Sequence, residues 1–244
     1  MTMTSTSQQP TTTPTRRITT RSRVGWLAVA LTSLGIAAFA VTPYLTASLE
    51  SLSQSDSGGL AEAYAGRPWF VLVAFYAHIV AGGTALVVGP FQFWRGLRTR
   101  HPLVHRSMGR VYLAAVGIAA LGGLAIAPIS QAGLTGLFGF GALGVLWLVT
   151  GWRAYRSIRR GDVASHQAWM IRNFALTYAA VTLRLGLFAL ILVQVPFSAG
   201  GFDFGTAFAN AYVAMAFLAW LPNLLIAEWL IRRRGLPSYR LTTP

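Results

Sequence analysis

The 244-residue sequence has no cysteine, which excludes disulfides, thiolate metal sites and iron–sulfur clusters. Histidine, present four times, is left as the only strong nitrogen ligand. Lysine is missing as well: all 20 basic residues are arginine, set against six acids, for a formal net charge of +14. Charged residues make up only 11% of the chain, where a soluble domain carries about a quarter. There is no glycine-rich nucleotide loop, no catalytic triad and no carboxylate pair placed for acid–base work. An arginine surplus of this size in a soluble protein would suggest nucleic acid. Here 54% of residues are hydrophobic, and a nucleic-acid groove needs a soluble face to carry it, so nucleic acid is excluded as a partner.

What the chain does have is long apolar runs. A membrane span needs about 20 mostly apolar residues at roughly 1.5 Å each. Six stretches qualify: residues 24–45, 68–93, 111–129, 133–152, 174–195 and 206–231, the last interrupted by Pro222. The expectation is an all-α integral membrane protein of six transmembrane helices, with spans 2–5 as the core bundle. Residues 1–23 are rich in Thr, Ser, Pro and Arg without apolar period and read as a disordered basic tail. The membrane domain runs over 24–235, and 236–244 form a short second tail. Arg16-Arg17 and Ala38-Phe39-Ala40 are features of a cleaved leader, but the apolar run 24–45 is long enough to span, so a retained first helix is expected. The fourth span is uncharged and carries glycines at 133, 136, 139, 141, 144 and 151, the mark of a helix that packs closely on others in lipid.

The arginines give the orientation. Four lie in the tail, five in residues 95–110, five in 153–172 and four after the last span, so 18 of 20 fall on one side. Four of the six acids (Glu50, Asp56, Glu62, Asp203) fall on the other. Positive charge stays inside, which predicts a bacterial inner-membrane protein with both termini cytoplasmic and membrane lipids around it. The two arginine-rich corners resemble each other. Trp94-Arg-x-x-Arg98 matches Trp152-Arg-x-x-Arg156, and His105-x-x-Met108-x-Arg110 matches His166-x-x-x-Met170-x-Arg172. Interfacial Trp and inside Arg would produce part of this pattern anyway; a parallel repeat of spans 2–3 and 4–5 is the alternative.

Four groups of residues could carry chemistry. On the fifth helix His166, Met170, Asn173, Thr177, Ala180 and Arg184 alternate at spacings of four and three, one helical stripe. Arg184 at mid-span costs about 2.5–3.5 kcal/mol, which the twelve Leu, Ile, Val and Phe residues of 174–195 offset at about −0.3 to −0.6 kcal/mol each. It needs a partner: His78, backbone carbonyls or an anionic ligand. On the second helix His78, Gly82, Ala85, Gly89 and Gln92 form a stripe whose small residues accept a neighbouring helix or a flat ring. His105 and His166, with Arg106, Arg110 and Arg172 near them, suit the two axial ligands and the propionates of a haem b. His101, His105 and His166 would be the ligands of a zinc site. Pro102 belongs in the first turn of the third helix, which puts His101 outside it. Haem, or a quinone-type ring held by His78 and Arg184, ranks above zinc; packing and lipid contact in a transporter or structural membrane protein is the bland alternative. No catalytic residue is assigned, and a redox partner is implied only by the haem or quinone reading.

The motifs Ala77-His78-Ile-Val-Ala-Gly82-Gly83, Gly89-Pro90-Phe91-Gln92-Phe93, His105-Arg106-x-x-Gly109-Arg110-x-Tyr112, Gly161-Asp162 with His166-x-x-Trp169-Met170-x-Arg172, and Arg184 resemble the bacterial predicted-membrane-protein family with domain of unknown function 2306. The resemblance covers about residues 70–190 and implies a multi-pass membrane protein with no established activity. More loosely the layout is similar to the two-haem bundles of cytochrome b561. It departs from them in having one deep histidine, His78, without a histidine partner, which leaves room for at most one bis-histidine site.

Overall fold

The computed structural model describes residues 20–55, 60–198 and 201–238. Among these every regular element is a helix, and six stretches are long and apolar enough to cross a membrane. The architecture is the expected all-α, six-span one. Of the two expected tails, residues 1–19 and 239–244 lie outside the described residues. The first helix, α1 (Thr20–Thr46), already includes the last four residues of the first tail. Large apolar side chains such as Leu31, Phe39, Leu121, Leu134, Phe188 and Leu225 are exposed, as they must be on a surface whose solvent is lipid.

The segment after α1 is more ordered than an external loop. It holds α2 (Leu49–Ser55) and α3 (Leu60–Tyr64), and Tyr64 stacks on Phe75 with ring centroids 4.2 Å apart. The second span is α4 (Trp69–Gln92). A short helix, α5 (Arg95–Arg100), then turns the chain into α6 (Pro102–Ile126). Pro102 sits in the first turn of α6, where its missing N–H leaves no bond broken. The fourth span is α7 (Gly133–Arg159). The third and fifth helices start nine and eleven residues earlier than their apolar runs, because helix propagation does not stop at the edge of the apolar stretch and Ala, Met and Arg favour it.

Both later spans are broken. The fifth divides at Tyr178 into α8 (Val163–Thr177) and α9 (Ala179–Gln194). The sixth divides at Ala219 and Trp220 into α10 (Phe204–Leu218) and α11 (Leu221–Arg233), with Pro222 in the first turn of α11. The second break was legible in that proline; the first has no proline or glycine to announce it.

Close packing follows the small residues. A Cβ on Gly122 of α6 would lie 2.6 Å from the Ala74 carbonyl of α4, and one on Gly139 of α7 would lie 2.6 Å from the Ala216 carbonyl of α10. Gly144 approaches Leu124 of α6 to 2.9 Å in the same sense. In lipid, such backbone approach replaces the hydrophobic drive between helices. The main buried cluster joins Ala85, Tyr112, Val116, Trp147, Met170 and Leu176 of spans 2–5 with Met215, Ala219 and Trp220 of the sixth, so the core extends one span beyond the expected four.

Candidate functional site

His105 and His166 occupy equivalent places: each is the fourth residue of its helix, α6 and α8. Their surroundings differ. Ahead of α8, Gly161 takes φ +77° and Asp162 caps the helix, its carboxylate accepting from the Ser165 N–H at 2.9 Å. Hydrogen bonds from Ser165, side chain first and backbone second, hold this carboxyl below the usual aspartate range. His166 then reaches back to the preceding helix, with Nδ1 2.8 Å from the Ala154 carbonyl. A carbonyl partner accepts, so Nδ1 is the nitrogen that donates here and Nε2 is the one left for a ligand.

At the other corner His101 holds the cap position of α6 without a side-chain cap bond. His105 Nδ1 is buried and has no hydrogen-bond partner among the described residues. Gln92, at the end of α4, is 6% exposed, and its Nε2 is likewise without a partner. A buried donor left unsatisfied costs about 1–3 kcal/mol.

Both histidines and Gln92 line one cleft of about 2130 Å³ at the arginine-rich end. Its lining reaches Tyr178, where the fifth span divides, and Asn223 of α11. Its lining includes Arg23, Arg95, Arg98, Arg100, Arg106, Arg110, Arg159 and Arg234 but no Asp or Glu. Six aromatic residues contribute: Trp26, Phe93, Trp94, Tyr155, Phe174 and Tyr178. Basic charge, aromatic wall and imidazole therefore meet in one place, which suits a ring-bearing anion.

The structure brings His105, His166, Arg106 and Arg110 together and takes Arg172 elsewhere. Arg172 faces α11, where its Nε and Nη2 donate to the two carboxylate oxygens of Glu228, the second at 2.9 Å. Its guanidinium also lies 4.5 Å from the centre of the Trp169 ring, on which Arg153 stacks at 4.9 Å. This corrects the placing of Arg172 beside the histidines: at six residues past His166 it comes off another face of α8, and the Glu228 carboxylate claims it. A separate hollow of about 440 Å³ adjoins that pair.

The deeper residues pack against neighbouring helices. His78 Nδ1 is 2.8 Å from the Ala119 carbonyl of α6, and a Cβ on Gly123 would approach that nitrogen to 2.8 Å. The groove of small residues beside His78 is thus filled by a helix, one of its two expected occupants. Arg184 meets one of the expected partners, a backbone carbonyl: Nη1 donates to Ala180 at 3.3 Å, one turn back. Among the described residues no hydrogen bond joins it to His78, and no group of three or more His, Asp or Glu gathers as a metal site, which removes support for zinc at His101, His105 and His166.

Two members of the stripe on the fifth helix serve a buried network that sequence reading missed. Tyr112 donates to Asn173 Oδ1 at 2.7 Å and lies 2.8 Å from Thr177 Oγ1. Trp147 Nε1 donates to Thr177 Oγ1 at 2.9 Å. Asn173 Nδ2 donates to the Trp147 carbonyl and to Thr150 Oγ1, both at 2.9 Å. A signal existed: Tyr112 and Asn173 each stand seven residues after their corner histidine.

Fold and packing define a multi-pass helical membrane protein. Within that class, the chain belongs to the family described as predicted membrane protein, domain of unknown function 2306 (DUF2306), whose model matches residues 75–231. The match reaches from α4 into α11 and so takes in the sixth span, which the motifs had left outside. No curated protein and no solved structure matches the chain.

Proposed function

We propose that this is a redox protein of the bacterial inner membrane that binds one haem b in the arginine-rich cleft, with that end and both termini cytoplasmic. The observation that carries the reading is the lining itself: two imidazoles, eight arginines, six aromatic side chains and no carboxylate. Haem b matches each part, with a planar apolar ring for the aromatic wall, two propionates for the arginines, and an iron that takes imidazole nitrogen. His166 is the better prepared of the two ligands, because the Ala154 carbonyl fixes its Nδ1 and turns the lone pair to Nε2. His105 is the second ligand, and Arg106 and Arg110 are the propionate partners on α6. The bound haem would supply one-electron exchange; the chain's part is to hold the ring, neutralise its acids and keep lipid around it.

The test is an absorption spectrum of the full chain purified after haem-replete expression. A Soret band is expected, abolished in His166→Ala and weakened in His105→Ala. A spectrum without a Soret band overturns the haem reading. Reporter fusions at the two ends test the orientation, and activity of an external reporter at either end refutes it.

A further inference from the structure

Two residues of the cleft wall, Gln92 and His105, each keep a buried nitrogen, Nε2 and Nδ1, without a partner among the described residues. Gly109, one helical turn after His105, backs onto the glutamine so closely that a Cβ there would lie 3.3 Å from Gln92 Oε1. All three residues line the cleft. Buried donors without acceptors are rare, since burial removes the water that would satisfy them. With the His105 proton on Nδ1, both nitrogens are donors on residues of one cavity wall, which suits a ligand that brings an acceptor oxygen.

We propose that Gln92 and His105 hold a carbonyl oxygen of a flat, membrane-dissolved ring, of the quinone class. The walls suit a ring: Phe93, next to Gln92, and Phe174 of α8 lie with centroids 5.3 Å apart, and both line the cleft. The carboxamide is uncharged, and a neutral donor matches a neutral carbonyl, whereas the arginines match anions. Access is lateral: α1 and α11 both line the cleft, and no extensive packing joins them, so a lipid-dissolved ligand enters between them. There is room for a second ring beside a haem, because about 2130 Å³ exceeds the roughly 300–1,000 Å³ of a site for one drug-sized ligand. The subsite shares the cleft with the proposed haem and does not depend on the iron.

The experiment titrates the purified full chain in detergent with a soluble short-chain benzoquinone and follows tryptophan fluorescence, Trp26 and Trp94 being cleft residues. Wild type should show saturable quenching. Gln92→Met should weaken it by about tenfold, the loss of one buried hydrogen bond, while the ligand-free melting midpoint holds or rises because an unsatisfied buried amide has gone. Gly109→Ala should weaken it less. Purely collisional quenching in wild type, or Gln92→Met binding the benzoquinone as wild type does, overturns the proposal. The Soret region of the same samples reports on haem separately. Saturable, Gln92-dependent quenching without a Soret band upholds this subsite and removes the haem; a Soret band without saturable quenching does the reverse.

Discussion

The two arginine-rich corners, α4–α5–α6 and α7–α8, start from similar sequence and end in different states. At the second, the cap residue and the histidine both have partners: Asp162 caps α8, and His166 binds the Ala154 carbonyl. At the first, His101 caps nothing, and His105 and Gln92 each keep a buried nitrogen unpaired. The α5 helix separates α4 from α6 there, whereas α7 runs straight to Arg159 and returns through three residues. Both histidines line the cleft; the short return also brings His166 onto the preceding helix, while the longer one leaves His105 Nδ1 without a partner. A satisfied corner contributes to holding the fold. An unsatisfied one in a cavity wall is where binding specificity can reside.

The largest expected effect lies where the halves meet. Tyr112 and Asn173, equivalent in position, bond each other in the buried core. Asn173→Ala removes three side-chain hydrogen bonds and leaves the Tyr112 hydroxyl and Thr150 short of a partner. The expected loss is about 2 kcal/mol, tempered because hydrogen bonds within membranes average about 0.6 kcal/mol each. Reversible unfolding in mixed micelles measures it. A loss no larger than that of Tyr112→Phe would mean that Asn173 is not the hub joining the two hairpins.

The histidines themselves give the next contrast. In haem-free protein, His166→Ala should cost about 1 kcal/mol through the lost bond to Ala154, and His105→Ala should cost within about 0.5 kcal/mol of nothing. Equal losses in thermal melts would erase the difference between the corners.

Much of this was legible in the sequence because lipid imposes simple rules. Span length, Pro102 at a helix start and Pro222 at a helix break are each local and each came out in the fold. The glycines of the fourth span pointed to close packing, and Gly139 and Gly144 do approach α10 and α6. What could not be read depends on which helix a side chain meets. Arg172 and Glu228 are 56 residues apart and pair only because α11 lies against α8. The interruption at Tyr178 has no helix-breaking residue to mark it. Gln92 sat on a stripe read through its histidine, and its burial became visible only when α6 closed over it.

The smallest expected effect concerns the caps. Asp162 is fully exposed, so its contribution is small, and its sign with pH is fixed by the depressed pKa. The folded chain favours the carboxylate more than the unfolded chain does. Its stabilisation is therefore complete above the ordinary aspartate value and is lost as pH falls through the lower, folded value. Asp162→Ala should melt slightly below wild type at neutral pH, with the gap closing once pH drops under about 4. His101 stands at the matching position of α6 and makes no cap bond, so His101→Ala should leave the midpoint unchanged. His101→Asp, by adding the missing carboxylate, should raise it and give α6 the same acid-side pH dependence that α8 already has. If His101→Asp stayed flat across that range, the difference between the corners would lie in the path of the chain through α5 rather than in the residue at the cap.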